Sequence, residues 1–157
     1  MIVSPVSSAV FPPRGYGELN AMEKLVVGRQ WGSAASLAAL VGIIGPLWEE
    51  AFFRGFLVTA LMRGDTRPPR RAVALLVSSL AFGVFHCDFR AAEGPNLYPL
   101  LPTAALGIVF GALLTETRNF AAAVLAHQLW NSIHLTLVAV AVAWDLEFAL
   151  RCARWYV

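Results

Sequence analysis

The hydrophobic and polar positions of the chain form five long apolar segments separated by short polar stretches. The predicted segments comprise residues 21–45, 46–62, 71–86, 98–115 and 120–144. None of them alternates apolar and polar positions in the way that a half-buried strand does, so each is predicted to be a helix. The second helix is expected to begin at Pro46, because the missing N–H of proline is not needed in a first helical turn.

The composition places these helices in a membrane. Hydrophobic residues make up 58% of the chain and charged residues 14%, with a mean hydropathy of +0.64. Soluble domains have about 45–50% apolar and about 25% charged residues. We therefore expect an all-α, polytopic transmembrane bundle of about four to five helices, the longer segments reaching the length of a membrane span. Residues 1–20 are predicted to be an irregular leader and residues 21–157 a single membrane-embedded domain.

The charge balance gives a topology signal and no sign of a nucleic-acid partner. The net charge is only +2, and the arginines cluster between residues 63 and 71. By the positive-inside rule, this loop is predicted to be cytoplasmic. The partners expected are the lipid bilayer and a membrane-associated protein or peptide.

Two adjacent acidic residues, Glu49 and Glu50, lie inside the second segment. Glu50 and Arg54 are four residues apart, which places them on one helix face in the order that favours an ion pair. Glu49 points about 100° away from Glu50, and a carboxylate in an apolar pocket suits general acid or base catalysis. The alternative is that both acids lie at a helix start, where carboxylates are favoured by the helix dipole.

Four further polar positions lie in the third and fifth segments. His86 closes the third segment, and His127, Asn131 and His134 share one face of the fifth. They could be a helix cap and hydrogen bonds between helices. Together with Glu49, however, they supply a carboxylate, imidazoles and an amide from three helices, which is how helix bundles build their sites.

The order of these residues resembles the CAAX-protease and bacteriocin-processing (CPBP, or ABI) family of glutamate-type intramembrane endopeptidases. Three motifs carry the resemblance: Glu49-Glu50-x-x-x-Arg54, Phe82-x-x-x-His86 and His127-x-x-x-Asn131. Gly55, Gly107 and Gly111 are also similar to the family. The chain departs from it in being short and in having Cys87-Asp88 after the second motif.

The resemblance implies hydrolysis of a peptide bond in a membrane-associated protein or peptide, including a C-terminal segment. Glu49 would activate a water molecule, with His86, His127 and Asn131 as further catalytic residues. Glu50 and Arg54 would support them. No metal or cofactor is expected, and the predicted location is a multi-pass position in the bacterial cytoplasmic membrane.

Two alternatives remain at the level of sequence. In the first, Glu49, His86 and His127 bind zinc in a metallopeptidase, with His134 as a spare ligand. The usual HExxH helix signature of such enzymes is absent. In the second, the chain is a membrane immunity or binding protein without enzymatic activity, and its polar cluster holds the helices together.

Overall fold

The computed structural model describes residues 17–65, 67–90 and 94–143, which form five helices. These are α1 (Gly17–Val27), α2 (Trp31–Met62), α3 (Pro68–Phe85), α4 (Leu100–Thr117) and α5 (Phe120–Ala143). The predicted all-α class is therefore confirmed. Helix α1 begins inside the predicted leader, whose residues 1–16 lie outside the described residues, as does Trp144 at the end of the fifth predicted segment.

The first two predicted segments are divided differently in the structure. The chain turns at residues 28–30, where Arg29 has a φ of 53°, and α2 then continues through Pro46 for 32 residues. Pro46 lies in the first turn of the α-helical stretch Gly45–Glu50, as predicted, but that stretch continues the preceding helix, so no boundary separates the first two segments here. A π-helical segment, Leu40–Ile44, immediately precedes the Gly45–Glu50 turn that contains the proline, and this change of register accommodates it inside one long helix.

The π segment explains how α2 tolerates Pro46 without an unsatisfied carbonyl. In an i→i+5 register the N–H of residue 46 would bond to the carbonyl of Val41, but proline has no N–H. The Nδ2 atom of Asn131 donates to that carbonyl instead, at 2.9 Å. One turn earlier on α5, Nε2 of Gln128 donates to the carbonyl of Ile43 at 3.1 Å. Side chains of α5 thus bind the backbone of α2 where its helical register changes.

A second π segment, Ala51–Val58, follows directly after the two glutamates. Such segments are rare and frequently occur at functional sites. Its Phe53 carbonyl accepts a hydrogen bond from Oγ of the buried Ser78 on α3, at 2.8 Å. Glu49 and Glu50 consequently lie on a short α-helical stretch between two π segments, and each π segment is held by a neighbouring helix.

Helices α3 and α4 form the most extensive helix pair among the described residues, and small residues bring them together. A Cβ atom on Gly107 would lie 3.0 Å from Cα of Ser79 and 3.1 Å from Nη2 of Arg54. One on Gly83 would lie 2.5 Å from the carbonyl oxygen of Leu100. Close backbone approach at small residues is typical of helices that pack inside a membrane.

A separate apolar cluster joins α1 to the rest of the bundle. Met22 and Val26 of α1 are buried against Ala34 of α2, Tyr98 before α4 and Leu135 of α5. The loop between α3 and α4 contains an antiparallel bridge between Asp88 and Asn96. The bridge lies just after His86, the residue that caps α3.

The outer surface of the bundle is strongly apolar. Trp48 is 70% exposed and Leu125 is 63% exposed, and many other large apolar side chains are also exposed. Soluble monomers rarely expose such a surface, whereas lipid-facing helices do. In the described part of the chain, α2 and α4 are long and apolar enough to cross a membrane. Helix α5 is as long as a span, but its polar stripe reduces its hydropathy.

Candidate active site

Three helices bring the predicted acidic and imidazole side chains together. Oε2 of Glu49 on α2 lies 3.6 Å from Nε2 of His127 on α5. It lies 3.8 Å from Nε2 of His86, which caps α3. The Glu49 side chain retains 18% exposure, while that of His127 is almost fully buried. A carboxylate and two imidazoles therefore converge at the edge of the bundle interior.

Glu50 lies behind this group and is completely buried. Its Oε1 atom is 3.1 Å from Nη1 of Arg54, so the ion pair expected from their spacing is present. The same oxygen is 2.9 Å from Nδ1 of His127, a contact that the sequence did not predict. Glu50 thus connects the buried arginine to a histidine of the cluster.

The hydrogen-bond partners of the two histidines fix where their protons lie. Nδ1 of His127 faces the Glu50 carboxylate, and Nδ1 of His86 lies 2.9 Å from the carbonyl of Phe82. Both partners accept hydrogen bonds, so we assign a proton to each Nδ1. In a neutral imidazole, each Nε2 is then an acceptor, like Oε2 of Glu49. Three facing acceptors can share one proton or take hydrogen bonds from a molecule between them.

Aromatic rings enclose the charged groups. The Phe110 ring stacks on His127 with centroids 4.7 Å apart. The Phe82 ring meets His86 edge-on at 4.5 Å and His127 at 5.7 Å. The Arg54 guanidinium lies 4.3 Å from the centroid of the Phe82 ring. These rings exclude water from the inner side of the cluster and add cation–π stabilisation to Arg54.

The remaining two residues of the α5 stripe have different neighbours. Asn131, one turn after His127, donates to the Val41 carbonyl of α2, as described above. His134, two turns after His127, is buried, and its Nδ1 lies 2.8 Å from the carbonyl of Trp130. Its ring also packs on that of Trp130, with centroids 4.6 Å apart.

Comparison with known proteins identifies the family. A family model for type II CAAX prenyl endopeptidases, Rce1-like, matches residues 31–133, which include all three motifs. The chain belongs to this family. No curated protein and no solved structure matches the chain. Membership confirms the resemblance to CAAX proteases, and with the apolar surface it indicates a membrane protein.

For an Rce1-like chain, metal binding is a natural question. Within residues 17–65, 67–90 and 94–143, no group of three or more His, Cys, Asp or Glu side chains is arranged so that it could hold a metal ion. Glu49, His86 and His127 stay the ligands that the zinc hypothesis would require, and metal dependence of the activity tests it.

The structure adds residues to this Rce1-like site that sequence reasoning missed. Phe82 belongs to the second motif, but the sequence did not predict a role for it. Nothing in the sequence marked Phe110 or Ser78 as site residues. The spacing of an apolar or small residue on an apolar helix does not distinguish it from its neighbours. Gly107 resembled the family, and the structure now gives its physical basis, since a side chain there would press on the Arg54 guanidinium.

Proposed function

We propose that this chain is an intramembrane endopeptidase that hydrolyses a peptide bond of a membrane-associated protein or peptide, with Glu49 as the general base. The observation that carries the proposal is the position of Glu49 Oε2, which lies 3.6 Å from Nε2 of His127 and 3.8 Å from Nε2 of His86. Membership of a family of CAAX endopeptidases supports the same reaction class.

Glu49 and His86 orient and activate the attacking water. A water molecule that bridges Oε2 of Glu49 and Nε2 of His86, which are 3.8 Å apart, makes a hydrogen bond of ordinary length to each. Glu49 takes one proton from the water while the water oxygen attacks the scissile carbonyl carbon. The tetrahedral intermediate then collapses, the C–N bond breaks, and Glu49 returns the proton to the leaving nitrogen.

His127 and Asn131 stabilise the oxyanion of that intermediate. Because Nδ1 of His127 is bound to Glu50, Nε2 donates a hydrogen bond only when the ring is an imidazolium. Glu50 holds the other ring nitrogen at 2.9 Å, so that Nε2 faces Glu49. Asn131 uses one Nδ2 hydrogen on Val41 and has a second for the oxyanion. One such donor in a water-poor site contributes about 3–4 kcal/mol.

The substrate approaches from the bilayer. Trp48 and Phe52, on either side of the glutamates, are largely exposed, as is Phe85 beside His86. These apolar side chains suit contact with lipid or with a lipid-linked or hydrophobic peptide, including a C-terminal segment. The protein acts as a multi-pass protein of the bacterial cytoplasmic membrane, without a metal or other cofactor.

The decisive experiment compares cells that produce the wild-type chain with cells that produce Glu49→Gln at equal membrane levels. Profiling of peptide termini in the membrane fraction should reveal new C-termini that appear only with the wild type. If no terminus depends on Glu49 while another cellular effect persists in the variant, the protein acts as a non-enzymatic binding or immunity protein and the proposal is wrong.

A test with purified protein separates a prenyl-protein substrate from an unmodified one and examines metal dependence. The probes are an internally quenched farnesylated CAAX peptide and the same peptide without the farnesyl group. Cleavage that persists in a chelator and disappears in Glu49→Gln supports the glutamate mechanism. Cleavage lost in chelator and restored by zinc would instead assign the reaction to a metallopeptidase.

A further inference from the structure

A groove lies between the end of α2 and the start of α3, at the level of the arginine-rich loop. It encloses a volume of about 620 Å³, within the range of about 300–1,000 Å³ typical of ligand sites. Its lining residues are Leu57, Ala60, Leu61, Arg63, Pro69, Arg70 and Val73. Its lining therefore combines five apolar side chains, here called its apolar floor, with two arginines. None of the proposed catalytic residues lines it.

The four arginines of this loop divide into two pairs. Arg67 forms an ion pair with Asp65 at 2.7 Å, and Arg71 forms one with Glu116 of α4 at 3.1 Å. Arg63 and Arg70, the two that line the groove, form no ion pair with any carboxylate in the described residues. The groove thus contains the two arginines of the loop that form no direct ion pair, although Asp65 also attracts Arg70 through space.

The backbone orients the Arg70 side chain and places Arg63 at the end of α2. Nε of Arg70 donates to the carbonyl of Leu61 at 3.1 Å, which fixes its guanidinium between α2 and α3. Arg63 caps α2 in the left-handed region, with a φ of 48°, a conformation uncommon for residues other than glycine. The Arg70 guanidinium is therefore oriented before any ligand arrives, and the main chain of Arg63 is fixed at the end of α2.

We propose that this groove binds one anionic phospholipid, with its phosphate against Arg63 and Arg70 and an acyl chain along Leu57, Leu61 and Val73. Charge complementarity selects the anionic headgroup, since guanidinium groups bind phosphate through charge-assisted hydrogen bonds. The apolar floor selects a lipid over a soluble anion. The groove also continues into the exposed apolar face of α3, where Val73 and Leu76 are 59% and 51% exposed.

The position of the groove relative to the membrane also fits a phospholipid. The loop joins the end of an apolar helix of membrane-spanning length to the start of the next helix, which is where headgroups lie. Basic pockets between membrane helices bind anionic headgroups through the same combination of arginine and apolar stem. The inference does not depend on the proposed proteolysis, and the test needs no substrate.

The test measures lipid binding to the purified full chain in detergent by native mass spectrometry. The probes are phosphatidylglycerol and phosphatidylcholine with identical acyl chains. We expect a bound phosphatidylglycerol and at least about tenfold weaker phosphatidylcholine binding. Arg63→Gln should weaken phosphatidylglycerol binding about tenfold, the effect of losing one charge-assisted hydrogen bond. Ala60→Phe, which fills the apolar floor, should weaken both lipids.

Arg67→Gln is the matched control, because it removes the same charge from the same loop but does not line the groove. It should change phosphatidylglycerol binding less than twofold. Equal weakening by Arg63→Gln and Arg67→Gln would mean diffuse attraction and overturn the site. Equal binding of the two lipids would overturn headgroup selection. Full displacement by millimolar inorganic phosphate would assign the arginines to a soluble anion instead.

Discussion

The Oε1 atom of Glu50 lies 2.9 Å from Nδ1 of His127, although 77 residues separate the two in sequence. The same oxygen is 3.1 Å from Nη1 of Arg54. A buried carboxylate between an arginine and an imidazole fixes the orientation and tautomer of the ring. Glu50 is therefore a positioning residue for His127 as well as the counter-charge of Arg54, and the two glutamates should respond differently to the same substitution.

Glu49→Gln should abolish activity with little change in stability. The substitution keeps the shape of the side chain but removes proton transfer, which contributes about 10²–10⁴-fold to such reactions. The measurement is cleavage per folded molecule, together with a melting curve. A Glu49→Gln protein that cleaves at a wild-type rate would remove Glu49 from the mechanism.

Glu50→Gln should lower both stability and activity. Arg54 loses its counter-charge, and His127 loses the carboxylate that orients its ring. The molecules that still fold should therefore cleave more slowly than the wild type. Full activity in the folded fraction would show that Glu50 supports only the fold, as its spacing from Arg54 alone would suggest.

Arg54→Ala should destabilise the bundle by about 3–5 kcal/mol, because it leaves the Glu50 carboxylate buried without its cation. Arg71→Ala is the matched control. It breaks the ion pair with Glu116, whose partners are both partly exposed, and such pairs contribute about 0–1 kcal/mol. Thermal melting in one detergent measures both. Equal stability of the two variants would contradict the structural importance of Arg54.

Gly107→Ala should destabilise the α3–α4 pair by about 1–3 kcal/mol, the usual effect of overpacking. The added Cβ would meet the backbone of Ser79 at 3.0 Å. Gly55→Ala serves as the control, since its Cβ would have ordinary contacts at 3.8 and 3.9 Å. Helix propensity favours alanine at both sites, so only packing separates them. Similar melting temperatures for the two variants would refute the close approach at Gly107.

His134→Ala should keep substantial activity, whereas His127→Ala should lose it. His134 lies about 10 Å further along the helix axis than His127, at 1.5 Å per residue, and its Nδ1 faces a carbonyl of its own helix. The comparison is made per folded molecule. A loss as deep as that of His127→Ala would support a metal site in which His134 is a ligand.

Cys87 should react slowly with maleimide at neutral pH. Burial raises the pKa of its thiol, and Sγ donates to the carbonyl of Gly83 at 3.4 Å. Since only the thiolate reacts, labelling in a Cys152→Ser background should be slower in folded than in unfolded protein at pH 7. The rate should continue to rise with pH beyond the range of an ordinary thiol. Equal rates at pH 7 would contradict this.

The parts of the site that were predictable from sequence lie within single helices. Glu50 and Arg54 are four residues apart, so helical geometry alone places them together. The contact between Glu50 and His127 depends on how α2 and α5 pack, and no periodicity encodes that. The helix boundaries show a similar limit. Pro46 suits a helix start, but a π segment and the side chain of Asn131 let α2 continue through it.

The two π segments decide where the active-site helix tolerates a change of length. A π segment holds about one more residue per turn than an α-helix. Deleting one residue from positions 40–44 would therefore restore α-helical spacing and leave Ala34 facing α1. The same deletion in the α-helical stretch Trp31–Ala39 would rotate the residues before it by about 100° relative to Glu49. A deletion at positions 40–44 should thus keep the bundle packed, whereas a deletion one turn earlier should detach α1 from it.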